Sequence, residues 1–302
     1  METLKKLLLI INPTAGKLTV KNALFDITKI FCDDGYLVTT RLTSMRGDAT
    51  SFAFEAVSSK DYDLIVCCGG DGTLNETIDG VMKAGSDIPV GYIPAGSTND
   101  FASSLGISTE LSEAAEEITA CEGAKPLDVG IFNKTRSFTY IASFGAFTST
   151  SYSVPQNVKN ALGHFAYVLG GIKDVASIRP YHMEISSDKH KLSGDYIFGA
   201  VSNSTSIGGL IKLDRDNMSF DDGKFEVLLV KQPEHAVHLH KILYGLASAD
   251  FSDTEVFEFF KTEKIQFSME EAVDWSLDGE HANGGKDVEI KNVNKAFWLM
   301  HK

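Results

Sequence analysis

The chain has 302 residues, 43% of them apolar, enough for one large domain or two ordinary ones with their own cores. Its charges sum to −13, which argues against nucleic acid as the main partner and against docking on anionic lipid by charge alone. No apolar stretch is long enough to span a bilayer, and the run 7–11 after Lys5-Lys6 is too short for a signal peptide. Cys32, Cys67, Cys68 and Cys121 form no Cys-x-x-Cys pair. Cys67 and Cys68, adjacent in an apolar run, point to opposite faces of a strand as buried thiols and suit a reducing cytoplasm.

In chain order, residues 7–11 form an apolar strand that runs into Asn12-Pro13-Thr14-Ala15-Gly16-Lys17. A helix near 21–33, a strand over 36–42 and a helix near 49–58 follow. Residues 64–68 are a buried strand leading through Gly69-Gly70-Asp71-Gly72-Thr73-Leu74-Asn75 into a helix. Residues 88–94 repeat the grammar, ending in Ala95-Gly96-Ser97-Thr98-Asn99-Asp100 with a helical turn over 101–105. A helix near 111–120 closes the series. This alternation predicts a mostly parallel sheet with helices on both faces, an α/β domain over residues 1–128.

Beyond residue 128 the pattern changes. Strands are predicted over 128–132, 137–142, 181–186, 196–202, 224–230, 255–260, 264–269, 273–277 and 288–290. Ile265, Phe267 and Met269, then Val273, Trp275 and Leu277, alternate with period two, so residues 129–294 read as an antiparallel β-sandwich. Residues 295–302 are expected to return to the first domain. Helical spacing recurs at His238, Ile242 and Leu246 and over 158–176. The second stretch is either a helix packed on the sandwich or an apolar wall for acyl chains.

Three loops therefore leave the carboxyl ends of strands, which in an open parallel sheet lie along one edge. Glycines let a phosphate approach the backbone, and the amides that open a helix attract it. Asp71 would repel a bare phosphate, so a Mg²⁺ ion or a hydroxyl is expected between them. Asp100 and Asp128 stand at the next two junctions, and the three acids together suggest a polar network around a transferred phosphate. No Gly-x-x-x-x-Gly-Lys-Ser/Thr is present, which excludes a P-loop enzyme. Asp278-Gly279 reads as a hairpin turn or, with Glu280, as a pair of acid/base carboxylates.

Asn12-Pro13-Thr14-Ala15-Gly16, Gly69-Gly70-Asp71-Gly72-Thr73, the segment from Pro94 to Ala102, Pro126-Leu127-Asp128-Val129-Gly130, Asp221-Asp222-Gly223-Lys224-Phe225 and Leu277-Asp278-Gly279-Glu280 together resemble the diacylglycerol kinase catalytic-domain family, in its soluble bacterial form. The likeness runs from residue 12 to residue 280. It implies an NAD kinase/diacylglycerol kinase-like first domain and an ATP- and Mg²⁺-dependent transfer of phosphate to a lipid hydroxyl, most plausibly that of diacylglycerol, from a cleft between the domains. By resemblance, Thr43 and Thr98 line the nucleotide pocket, Lys17 adds a charge near the phosphates, and the base is Asp278 or Glu280. A structural Mg²⁺ site would use the Asp222 carboxylate, the Lys224 carbonyl and the position of Ser219. Ser103 stands where relatives commonly carry arginine. Homodimers occur in the family, and transient membrane contact follows from a lipid substrate. The competing readings are an NAD-kinase-like phosphorylation of a soluble nucleotide and a non-catalytic nucleotide or lipid sensor.

Overall fold

The computed structural model describes residues 4–145, 179–203, 206–207, 211–212 and 220–302. The chain divides into two compact units, Met1–Leu127 with Lys295–Lys302, and Asp128–Asn294.

In the first unit, β1 (Lys5–Ile11) runs through a 3₁₀ turn (Ala15–Leu18) into α1 (Thr19–Asp33). Then come β2 (Tyr36–Leu42), α2 (Asp48–Ser59), β3 (Leu64–Gly69), α3 (Asp71–Ala84), β4 (Pro89–Pro94), α4 (Asp100–Leu105) and α5 (Leu111–Thr119). The strands pair in parallel in the order β4-β3-β1-β2. At the open side of β4, Trp298 and Leu299 near the chain's end pair in parallel with Pro89 and Val90. Leu7 to Ile11 and Leu64 to Cys68 are buried, as continuous apolar runs must be when helices cover both faces of a parallel sheet. Cys67 and Cys68 are both fully buried, and burial pushes the Cys68 thiol up to about 12 and the Cys67 thiol higher still. Because β1, β2, β3 and β4 all run the same way, the loops that follow them leave from one edge.

The second unit is antiparallel. The chain enters it along β5 (Lys125–Phe132) and continues through β6 (Arg136–Phe138), β7 (Ile141–Gly145), β8 (Tyr181–Ser187) and β9 (Lys191–Ser202). Two short strands, β10 (Ser206–Ile207) and β11 (Ile211–Lys212), pair with each other. Next are β12 (Phe225–Lys231), α6 (Ala236–Ser248), β13 (Phe257–Thr262), β14 (Lys264–Met269), β15 (Asp274–Leu277), β16 (Glu280–Asn283) and β17 (Asp287–Leu299). The alternation read from the sequence holds: Ile265, Phe267, Met269, Trp275 and Leu277 all enter one core with Phe138, Phe144 and Phe225. Phe144 and Trp275 stand 4.9 Å apart, centroid to centroid, at its centre.

Two predicted strands are corrected. The strand over 137–142 is in fact β6 and β7, separated at Thr139 and Tyr140, whose amides bond a distant carboxylate instead of continuing a ladder. The strand over 288–290 is the 13-residue β17. Its mostly polar run over 291–295 hid it, because Asn292 occupies an inward position where the alternation demands an apolar residue. The apolar stretch 158–176 and Ser219 lie outside the described residues. Among the described residues no helix is long and apolar enough to cross a membrane.

Candidate active site

In the first unit, loops remote in sequence are stitched into one surface. Asn12, after β1, donates its backbone amide to Cys68 O at 2.9 Å and its side-chain amide to Thr73 Oγ1 at 3.2 Å. Its side-chain oxygen accepts the Thr14 amide and hydroxyl at 3.0 and 2.8 Å, an Asx turn that shapes the chain through Pro13 into Ala15, Gly16 (φ 56°) and the backbone of Lys17. Thr43, half-buried at the end of β2, donates its amide to Ile11 O at 2.8 Å. Across the β3 and β4 loops, Ala95 donates to Gly69 O at 2.8 Å.

The glycines are needed here for space. A Cβ on Gly96 would stand 2.7 Å from Gly70 Cα, and one on Gly69 would meet the Thr73 side chain at 2.7 Å. Gly70 opens α3 in an extended conformation with no side-chain cap, so Asp71, Gly72 and Thr73 form the first turn of a helix whose positive end faces this edge. Leu74 is buried and Asn75 half-buried on the same helix.

Asp71 is the joint between the two glycine loops. It is only 8% exposed, and its carboxylate accepts the Asp100 amide at 3.1 Å, the Phe101 amide at 3.3 Å and the Tyr92 hydroxyl at 3.4 Å. Through these two amides it positions the start of α4, whose first residue is Asp100. Asn99, with a left-handed φ of 51°, bonds both Gly96 N and Gly96 O through its side-chain amide, at 2.9 and 3.0 Å. Thr98 is left exposed at the tip of that loop. Ser103 turns its hydroxyl back to Asn99 O, so it adds no cationic reach in place of an arginine.

In the second unit, Asp278 and Gly279 are the two central residues of the β15–β16 hairpin, at φ 48° and 83°, with Leu277 paired to Glu280. That is the primed turn for which Asp-Gly is suited. The Asp278 carboxylate accepts hydrogen bonds from the Thr139 amide at 2.6 Å, the Thr139 hydroxyl at 2.9 Å, and the Tyr140 and Ile141 amides at 3.0 Å each. Glu280 is exposed, and its Oε2 lies 3.4 Å from Arg136, which also donates to His281 O at 2.8 Å. The two carboxylates thus differ in kind, one engaged with backbone and one open to solvent beside a guanidinium.

Asp128 also belongs to the second unit. It is 1% exposed and accepts the Gly223 amide at 2.7 Å and the Asn294 side-chain amide at 2.9 Å. Asp222 bonds the Lys224 amide with one oxygen at 2.9 Å and has its other oxygen 3.7 Å from the Lys261 ammonium. An ammonium facing the carboxylate does not fit a divalent ion there. Among the described residues no group of three His, Cys, Asp or Glu side chains could hold a metal ion. Sequence reading gave no role to Tyr92, Thr139, Arg136 and Asn294, and took Asn99 only as part of the loop 95–100. Only Asn99 carried a local signal, as an asparagine directly before a helix.

The parallel α/β unit, with glycine-rich loops at one edge of its sheet, and the antiparallel β-sandwich unit make an arrangement that suits a phosphotransferase acting on an alcohol. The model of the diacylglycerol kinase catalytic domain matches residues 6–131, and that of the YegS C-terminal NAD kinase beta sandwich-like domain matches residues 142–294. The diacylglycerol kinase of Bacillus subtilis (strain 168) is 34% identical over 92% of this chain and 90% of its own. The chain belongs to the diacylglycerol kinase family. Among solved structures, a diacylglycerol kinase from Bacillus anthracis str. Sterne shares the fold with a TM-score of 0.76 and 24% identity, covering 100% of this chain and 98% of that one. An NAD kinase from Archaeoglobus fulgidus, solved in complex with ATP, shares it more distantly, with a TM-score of 0.52 and 12% identity over 98% of this chain and 93% of that one.

Proposed function

We propose that the protein transfers the γ-phosphate of ATP to the hydroxyl of diacylglycerol, giving phosphatidic acid and ADP. The observation that carries the nucleotide half is the contact of Gly70 with Gly96, which brings two loops together at the uncapped start of α3. Backbone amides at the start of α3 suit a polyphosphate, which needs N–H donors and no nearby Cβ, while the Asn12 and Thr14 amides hold the β1 loop in the shape that sets Gly16 at the same edge. Thr43, Thr98 and Lys17 fall on the same edge by their places in the chain. A divalent ion bound with the triphosphate would neutralise charge as it moves to the leaving group, with Asp100 as an oxygen donor.

In the reaction the acceptor oxygen bonds to the γ-phosphorus, the bond to the β-phosphate oxygen breaks, and the hydroxyl proton passes to a base. Glu280 suits that role because it is exposed. Asp278 is a positioning residue, its oxygens committed to Thr139, Tyr140 and Ile141. The name of the Bacillus subtilis relative supports diacylglycerol as the acceptor. The test is a γ-labelled ATP assay with diacylglycerol, phosphatidylglycerol, a sphingoid base and NAD as acceptors. Label is expected in phosphatidic acid; label in NADP alone would favour the soluble-nucleotide reading, and label in none would leave a sensor.

A further inference from the structure

The loop at Asp221–Lys224 departs from the metal site that the family resemblance implies. A structural divalent ion does two things: it fixes a loop, and it neutralises the carboxylates gathered there. Here protein groups tie the loop down at two points and brace it internally at a third. Asn294 donates to Asp221 O at 2.8 Å, Gly223 donates to Asp128 at 2.7 Å, and Lys224 donates to Asp222 at 2.9 Å.

Neutralisation is also supplied internally. Glu226, 3% exposed, pairs directly across the β12–β13 ladder with Lys261, whose ammonium is 3.0 Å from Glu226 Oε1 and 3.7 Å from Asp222 Oδ2. The lysine is anchored on a neighbouring strand, so its charge arrives at Asp222 by the fold. A second, divalent charge beside it would meet repulsion that only a richer set of anionic ligands could overcome.

We propose that Lys261 is a built-in cation that takes the place of a structural divalent ion at the Asp222 loop, so that the second unit holds its fold without Mg²⁺. This goes beyond the assigned reaction and stands whatever the acceptor is, since an ion bound with nucleotide is a separate matter.

The experiment uses the full-length, nucleotide-free protein. Thermal unfolding is followed in EDTA and in millimolar MgCl₂, and Mn²⁺ binding is followed by its electron-spin signal. The wild type is expected to unfold at the same temperature in both solutions and to bind no stoichiometric Mn²⁺. Lys261→Met, which leaves Glu226 buried and unpaired, is expected to lower Tm by roughly 5–10 °C. Adding Glu226→Gln to it should recover most of that loss. Chelation that lowers the wild-type Tm, reversed by Mg²⁺ and abolished in Asp222→Asn, would overturn the proposal. So would a Lys261→Met protein as stable as the wild type. Should that variant not fold, the wild-type chelation and Mn²⁺ measurements decide alone.

Discussion

Replacing Asp278 and Glu280 separately by their amides tests how the two acids divide the work. Asp278→Asn keeps the turn, because asparagine tolerates the left-handed φ of 48° nearly as well as aspartate. It turns one carboxylate oxygen into an NH₂ group, however, which cannot accept from the amides and hydroxyl of residues 139–141. At least one oxygen's share of these bonds is lost and the donors on it are left facing a donor. Bonds to a charged acceptor contribute about 1.5–3 kcal/mol each, and the half-buried setting lets water recover part, so a loss of about 2–4 kcal/mol is expected. For a unit of this size that is a fall in Tm of roughly 4–16 °C. Glu280→Gln, on an exposed side chain, should change stability by less than about 0.5 kcal/mol while lowering kcat about 10²-fold or more with little change in the KM for ATP. Calorimetry and steady-state kinetics on the same preparations measure both. Loss of turnover in Asp278→Asn at unchanged Tm, with Glu280→Gln still active, would reverse these two roles.

Gly96→Ala should weaken ATP binding by at least about tenfold, equivalent to about 1.4 kcal/mol, because its Cβ would stand 2.7 Å from both Gly70 Cα and Asn99 Oδ1. Gly123→Ala, with nothing within 4 Å of its Cβ, is the control and should bind normally by isothermal titration. Asp48 accepts the Ser44 and Met45 amides and the Ser44 hydroxyl, which together hold its carboxyl below the usual carboxylate range. A depressed folded value means a contribution present above the unfolded value and lost as pH falls through the folded one. Thermal unfolding as a function of pH should therefore show an acid limb below the ordinary carboxylate range that is shallower in Asp48→Asn.

The first unit was largely legible because its demands are local. Glycines at 69 and 96 are set by approaches of 2.7 Å to where a Cβ would stand, and the apolar runs 7–11 and 64–68, each ending in turn residues, read as strands buried on both faces. What was hidden depends on contacts across the chain. The break at Thr139 and Tyr140 exists because Asp278, 139 and 138 residues further on, captures their amides. Asp128 looked like one of three junction acids, yet Asn294, 166 residues away, and Gly223 engage it within the second unit. The length of β17 was masked by polar residues at positions where period two calls for apolar ones. Lys261 at Asp222 was invisible for the same reason, since only strand pairing brings it there.

On the proposed function, amides of separate loops in the first unit gather on one polyphosphate. Amide chemical shifts recorded while ATP is titrated into the isotopically labelled protein test it most directly. The largest changes are expected at residues 12, 14–16, 69–75 and 96–98, saturating together at one affinity. Changes confined to one of these segments, or centred elsewhere in the chain, would contradict it.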